Sequence, residues 1–334
     1  MNEGILSAIG NTPLIKLTRA MKGAGFDLYA KLEMLNPGGS MKDRPALSLI
    51  RQGIESGEIG PGATVIESSS GNMGIGLAQA CALHGLRFIC VVDPKTTAQN
   101  ISLLKAYGAE IDLVGTPDSV TGEFLKARID RVRSLLATIE DSFWPNQYAS
   151  LYNPLAHHMT MDEVATALEG KVDYLFCATS TCGTLRGCAE YAKTFNLGTK
   201  IIAVDAVGSA IFDGGKAKRL IPGHGASVRP ALFQPGLADH CVHVTDLDCV
   251  VGCRRLARTE AALVGGSSGA VFMAAEKLKA MIPPRATCVL IFADRGERYL
   301  DTIYSDKWVE THFGDVSRLW NEIGEEELCL TMAS

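Results

Sequence analysis

"ATVIESSSGNMGIGLAQACALHG" (residues 63–85) decides the fold class. Residues 63–69 form a short apolar run that reads as a buried strand. The stretch "MGIGLAQACALHG" reads as a helix of small and apolar residues. Between them lie serines, a glycine and an asparagine. The same succession recurs along the chain. "RFICVVD" (87–93) precedes the helical "TAQNISLLKAYG", and "AEIDLVG" is a third strand. "EFLKARIDRVRSLLATI" is an amphipathic helix, and "VDYLFCAT", "TKIIAVDA" and "ATCVLIFAD" are further strands alternating with helical segments. Repeated alternation of this kind predicts an α/β fold of mostly parallel, twisted sheets flanked by helices and joined by right-handed crossovers. Ligands of such folds bind at the carboxyl ends of strands and between domains.

Size and composition agree with that class. The chain has 334 residues, enough for about two domains and a sizeable core. Hydrophobic residues make up 47% and charged residues 21%, a globular balance. A net charge of -5 without a basic run argues against nucleic-acid binding. The opening "MNEGILSAIGNTPLIKL" does not read as a signal peptide, and no apolar run is long enough for a membrane span. A cytoplasmic protein is therefore expected. The ten cysteines include no C-x-x-C pair and mostly sit in apolar runs, so free buried thiols are expected. His157 and His158 are adjacent rather than at metal-ligand spacing, and no metal site is expected. There is no solenoid repeat and no low-complexity linker. The pattern breaks near "DSFWPNQYASLYNP" (141–154).

Three loops rich in glycine, serine or threonine are expected after strands: 68–76, 179–187 and 265–269. Backbone N–H groups at a helix start attract anions. "GNMGIG" has the spacing G-x-x-G-x-G, not the G-x-G-x-x-G of a dinucleotide site. Its serines and Asn72 suit a carboxylate better than a pyrophosphate. "TSTCGTLRG" (179–187) suits a single phosphate or is an ordinary strand-to-helix turn. It lacks the lysine of a P-loop. "GGSSG" (265–269) alone is a common helix entry.

"NPGGSMKDR" (36–44) adds a lysine framed by a turn. Ser40 or Asp43 is expected to cap the helix that follows, and Pro45 is tolerable only in its first turn. A positioned lysine, a carboxylate-type loop, a phosphate-type loop and a further serine loop together describe a site for pyridoxal phosphate.

From "IGNTPLIKL" to "RGERYLDTIY" the chain resembles the cysteine synthase (O-acetylserine sulfhydrylase) and cystathionine β-synthase family. These are the fold-type II pyridoxal-phosphate enzymes, related in fold to the tryptophan synthase β chain. "NPGGSMKDR" is similar to the family's lysine motif and "SSSGNMG" to its asparagine-containing substrate loop. The resemblance implies a role for each matching residue. Lys42 is the Schiff-base lysine and the base that moves the α-proton. Asn72 bonds the cofactor's 3′ oxygen. Ser69, Ser70, Gly71 and Met73 fall in the substrate-carboxylate loop, with Gln147 a further carboxylate contact. Met73 stands where the family usually has threonine and offers only its backbone N–H. Ser180, Thr181, Cys182, Gly183 and Thr184 replace the family's Gly-Thr-Gly-Gly-Thr phosphate loop. Ser267 meets the pyridine nitrogen and, unlike an aspartate, does not hold the ring protonated, which favours β-elimination.

Cysteine synthases usually carry Gly where Ser180 stands and Phe where Tyr148 stands. Both departures add hydroxyls, which a larger amino-acid nucleophile uses and sulfide does not. "VVDPK", "AVDAVGS" and "DRGERYLDTIYSD" are similar to one branch of the family. That branch joins O-phospho-L-serine to L-glutamate, supplying 2,3-diaminopropionate for the siderophore staphyloferrin B. The alternative is a cysteine synthase using O-acetylserine or O-phosphoserine with sulfide. Two anionic substrates need cationic partners. Arg229 of "GHGASVRP" is either one of these or a solvated surface arginine. The resemblance also implies a homodimer and two domains. One is a smaller, mobile domain over 36–145 carrying Lys42 and the substrate loop. The other, larger domain combines 1–35 with 146–334 and carries the phosphate loop.

Overall fold

The computed structural model describes residues 4–119, 122–215 and 217–321. The chain divides into two compact units. One takes the chain up to Asn11 and Asn36–His157. The other takes Thr12–Leu35 and the chain from His158 onward.

In chain order, the strands β1 (Leu14–Lys16) and β2 (Asp27–Leu32) come first and belong to the second unit. The first unit then runs through α1 (Asp43–Glu55), β3 (Thr64–Ser68), α2 (Asn72–His84), β4 (Arg87–Val92) and α3 (Ala98–Ala106). It closes with β5 (Glu110–Leu113), α4 (Phe124–Leu136), β6 (Ser142–Phe143) and α5 (Tyr152–Ala156). The second unit resumes with α6 (His158–Ala167), β7 (Tyr174–Ala178), α7 (Gly183–Thr194), β8 (Lys200–Ala206) and β9 (His240–Val244). Last come α8 (Asp246–Thr259), α9 (Gly266–Leu278), β10 (Thr287–Phe292) and α10 (Asp306–Phe313).

The first unit's sheet is parallel throughout, in the order β5-β4-β3-β6. The second unit's sheet has the order β1-β2-β10-β7-β8-β9, and only the β1–β2 pair is antiparallel. Parallel strands are covered on both faces and so read as continuous apolar runs. All five residues of β3 and five of six in β4 and β10 are buried.

Each sheet has a point at which the strand order reverses. In the first unit successive strands step from β3 to β4 to β5, and β6 is then added on the far side of β3. In the second they step from β7 to β8 to β9, and β10 is added on the far side of β7. The carboxyl ends of β3 and β6, and of β7 and β10, therefore flank a crevice of the kind in which open α/β sheets bind ligands.

Four strands escape a reading by apolar runs. β1 and β6 have three and two residues, and the edge strand β9, "HCVHV", carries two histidines. β2 lies inside the sheet but contains Lys31. That lysine is buried because its Nζ donates to the Thr12 carbonyl and to Glu163 Oε2, each at 2.6 Å.

Two local expectations are corrected. Neither Ser40 nor Asp43 caps α1, whose N-cap position is held by Lys42 without a side-chain cap. Ser40 Oγ instead accepts the Lys42 N–H at 3.1 Å, and the Asp43 carboxylate reaches back to accept the Gly38 N–H. Both side chains tighten the turn rather than start the helix. Pro45 does lie in the first turn. The loop 265–269 opens α9 but follows α8 and a single bridge residue, Val264, not a strand. It reaches the carboxyl end of β10 through hydrogen bonds: Gly265 N–H to the Asp294 carbonyl at 3.0 Å, and Ala293 N–H to Ser268 Oγ at 2.9 Å.

Among the described residues nine cysteines are free thiols, eight of them buried and Cys241 half-buried. Cys329 lies outside the described residues. No helix among the described residues is long and apolar enough to cross a membrane.

Helices α8 and α9 cross backbone to backbone. A Cβ on Gly252 would stand 2.3 Å from the Gly269 carbonyl oxygen, and one on Gly269 at 2.3 Å from that of Cys249. Gly252→Ala is expected to cost about 1–3 kcal/mol by overpacking. Gly60→Ala, where a Cβ meets nothing within 4 Å, is expected to be neutral or stabilising by up to about 1 kcal/mol. Urea unfolding midpoints of the two variants check the contrast.

Candidate active site

In the first unit, eight of the singled-out residues gather at the amino-terminal ends of α1 and α2 and at the carboxyl end of β6. Lys42 sits at the start of α1 and is half-buried. Helices α1 and α2 approach closely there. A Cβ on Gly76 would stand 2.9 Å from Ala46 Cβ and 3.2 Å from the Lys42 carbonyl oxygen. Glycine at 76 thus lets the start of α1 lie against the second turn of α2.

The loop 69–71 joins β3 to α2. Ser69 Oγ accepts the Gly74 N–H at 2.9 Å, which satisfies a first-turn donor of α2. That hydroxyl is committed inside the loop. The Ser70 hydroxyl hydrogen-bonds no described residue. Gly71 has open space where a Cβ would be. Asn72 is the first residue of α2 and half-buried, whereas the Met73 side chain is in the core. Gln147 is buried, and its Nε2 donates to the Ser68 carbonyl at 3.1 Å, fixing the residue beside the loop.

Two buried charged residues stand behind these loops. Glu67 is fully buried in β3. Its Oε1 accepts from Ser68 N at 2.8 Å and Trp144 Nε1 at 3.1 Å, and its Oε2 accepts from Gln147 N at 3.1 Å. Burial nevertheless raises its pKa to about 7, against the pull of these donors and of the Arg128 charge. Tyr148 is pushed up to about 12, chiefly by burial, with Arg128 pulling the other way.

Arg128 lies on the buried face of α4 with Val132 and Leu135. Its Nε is 3.3 Å from Asp93 Oδ2, but neither Nε nor Nη1 has a hydrogen-bond acceptor among the described residues. This buried guanidinium is ion-paired with Asp93, carries N–H groups that bond no described residue, and is close enough to Glu67, Cys90 and Tyr148 to act on their ionisation; such N–H groups suit a further anionic oxygen. Sequence reasoning passed over Arg128. The available signal was an arginine spaced i, i+4 and i, i+7 from Val132 and Leu135 on the apolar stripe.

In the second unit the loop Ser180–Thr184 leaves β7 and enters α7. Cys182 holds the left-handed conformation at φ 66°, which glycine adopts more easily. Its side chain packs against Ile211 and Leu232. Thr181, Gly183 and Thr184 are buried, and Thr181 Oγ1 accepts the Gly183 N–H at 3.4 Å. Ser180 is half-buried, and no described residue hydrogen-bonds its hydroxyl. Ser267 is the second residue of α9, and its hydroxyl likewise bonds no described residue. Arg229 is half-exposed and already engaged. Its Nε donates to the Ile211 carbonyl at 3.1 Å, its Nη2 to Asp213 at 3.1 Å, and it stacks over Phe233.

These residues suit pyridoxal phosphate. The first turn of α7 with three hydroxyls at its mouth is chemistry for a phosphate monoester. A serine hydroxyl that bonds no described residue, at 267, is chemistry for a ring nitrogen. Residues 5–294 match the sequence profile of the pyridoxal-phosphate dependent enzymes, and the chain belongs to that family.

The chain is also similar to several named proteins. It is 45% identical over 308 residues to the N-(2-amino-2-carboxyethyl)-L-glutamate synthase of Ralstonia nicotianae, covering 92% of this chain and 91% of that protein. It superposes on the cysteine synthase of Entamoeba histolytica with a TM-score of 0.85 at 31% identity, covering 97% and 96% of the two chains. The O-acetylserine dependent cystathionine β-synthase of Helicobacter pylori gives 0.83 at 33% identity, with coverages of 90% and 98%.

The raised pKa of Glu67 makes a pH prediction. Its folded-state value, about 7, lies above the ordinary 4.5, so the folded form binds the proton more tightly. Stability from this group is present below about pH 4.5 and is lost as pH rises through 7, by up to about 3 kcal/mol. Glu67→Gln cannot ionise and is expected to flatten the fall in melting temperature between pH 5 and pH 8. An unchanged slope in the variant would refute the assignment.

Proposed function

We propose that the chain catalyses a β-replacement. O-Phospho-L-serine and L-glutamate give N-(2-amino-2-carboxyethyl)-L-glutamate and inorganic phosphate, a route to 2,3-diaminopropionate for a siderophore. The observation that carries this reading is the 45% identity, across 92% of the chain, to a synthase named for that product. The buried N–H groups of Arg128 support an anionic substrate, and the hydroxyls of Ser180 and Tyr148 support a nucleophile larger than sulfide.

Pyridoxal phosphate, when bound, withdraws electrons from an amino acid and so acidifies its α-hydrogen. Lys42 would hold the cofactor through Nζ until the substrate amine takes its place and leaves the Lys42 amine free, Asn72 would take the 3′ oxygen, the loop Ser180–Thr184 the phosphate, and Ser267 the ring nitrogen. The Lys42 amine accepts the α-proton of the first substrate. The β-carbon to oxygen bond then breaks and phosphate departs with the bonding pair. Arg128 offers N–H groups to the anion, where they stabilise the charge that develops on the leaving oxygen. The glutamate amine forms a new bond to the same β-carbon and loses a proton, and Lys42 Nζ returns a proton to the α-carbon. Ser70, Gly71 and the Met73 N–H, with Gln147, hold the substrate carboxylate at the start of α2. Arg229, already bonded to Asp213, contributes to the entry of a carboxylate only by exchanging that partner.

Purified protein supplied with O-phosphoserine and either glutamate or sulfide tests the reading. Phosphate release and a mass for the glutamate adduct are expected. Turnover with sulfide alone would instead make it a cysteine synthase. Lys42→Ala is expected to lower the rate between about a hundredfold and ten-thousandfold, the range of general acid–base catalysis. Tyr148→Phe is expected to cost about tenfold with glutamate, the worth of one buried hydrogen bond, and to change sulfide turnover little.

A further inference from the structure

The residue before the phosphate-type loop, Thr179, has every polar group engaged. Its N–H donates to the Val204 carbonyl at 2.9 Å, and its own carbonyl accepts the Gly225 N–H at 2.7 Å. Its hydroxyl donates to Asp205 Oδ1 at 2.8 Å. Asp205 is fully buried near the end of β8. Oδ1 also accepts the Ala206 N–H at 2.9 Å, and Oδ2 accepts the Phe212 N–H at 3.1 Å. Burying a carboxylate is costly unless its oxygens are hydrogen-bonded, and here both are.

The two segments that Asp205 holds are the two that bear on the loop. Thr179 is its entry. Phe212 follows Ile211, whose side chain packs against Cys182, the left-handed residue at the loop's centre. The far side is pinned as well. Ser209 Oγ accepts from Ile211 N at 3.3 Å and Ala226 N at 3.1 Å, and Arg219 Nη1 donates to the His224 carbonyl at 3.0 Å, next to Gly225. One carboxylate thus fixes the backbone before the loop and the support beneath it.

We infer that Asp205, acting through Thr179 and Phe212, is a positioning residue that sets the loop Ser180–Thr184 for the cofactor phosphate. The inference rests on the proposed role of that loop. The loop meets the phosphate and not the ring, so loosening the clasp lowers affinity for the phosphorylated cofactor selectively. A general loss of stability has no such selectivity.

The full chain, stripped of cofactor, is titrated with pyridoxal phosphate and separately with pyridoxal, following the visible absorbance of the bound aldehyde. Thr179→Val removes the hydroxyl at nearly constant shape and is expected to weaken pyridoxal phosphate by about tenfold, one buried hydrogen bond. Pyridoxal affinity is expected to stay the same. Thr179→Ser restores the hydroxyl and is expected to restore the wild-type ratio of the two affinities. Asp205→Asn keeps an acceptor for Thr179 but replaces one oxygen, and is expected to shift the ratio in the same direction. Thr184→Ala, inside the loop, separates the two levels of the proposal. If it leaves the ratio unchanged, the phosphate role of the loop fails. If it lowers the ratio while folded Thr179→Val and Asp205→Asn do not, the clasp alone fails. Should both clasp variants lose their fold by circular dichroism while Thr179→Ser keeps it, Asp205 holds the whole unit rather than the loop, and the inference is overturned.

Discussion

A helix begins with backbone N–H groups that lack partners, and three helices of this chain place that shortage beside a parallel strand's carboxyl end. Helix α2 does so after β3, α7 after β7, and α9 through its hydrogen bonds to the end of β10. A protein that satisfied all these donors internally would have no use for the serines and threonines gathered there. Here some of the donors are met by the loops themselves. Ser69 and Thr181 accept donors within their own loops, while the hydroxyls of Ser70, Ser180 and Ser267 bond no described residue. The topology determines where this happens, because both sheets reverse their strand order next to these loops. An anionic cofactor and anionic substrates are the ligands that such starts accept at least cost.

How much of this was legible follows from what each residue does in the fold. The buried parallel strands announce themselves as apolar runs, because β3, β4, β7 and β10 are covered on both faces and carry mostly apolar side chains. β2 is hidden by Lys31, whose ion pair with Glu163 depends on a residue 132 positions away. The loops were legible by composition, since few residue types suit a strand-to-helix turn that faces a ligand. "GGSSG" reads as a loop after a strand, but it follows α8 and the bridge residue Val264, because sequence order is not spatial order. Its tie to β10 is made by Ser268 Oγ across 25 residues. Arg128 was hidden by residue type alone, as an arginine in an amphipathic helix ordinarily marks the solvent side.

The two units answer one mechanical problem in the same way. Glu67 and Asp205 are each the penultimate residue of a parallel strand, and each is fully buried. Each uses one carboxylate oxygen to take the N–H of the strand's last residue, Ser68 or Ala206. Each then takes two donors from segments outside its own strand. Glu67 holds Trp144 and Gln147, and Asp205 holds Thr179 and Phe212. An apolar side chain at either position would leave buried donors unsatisfied, at about 1–3 kcal/mol for each. A carboxyl group suits both positions because its two oxygens together accept from three donors, where a single amide oxygen offers two lone pairs. The burden shows at Glu67, whose pKa rises to about 7 even with its three donors and Arg128 nearby. A strand end that carries a loop for a ligand is the place where this cost is met. A carboxylate at the strand's end holds the neighbouring segments in one conformation, while some of each loop's donors are met within the loop.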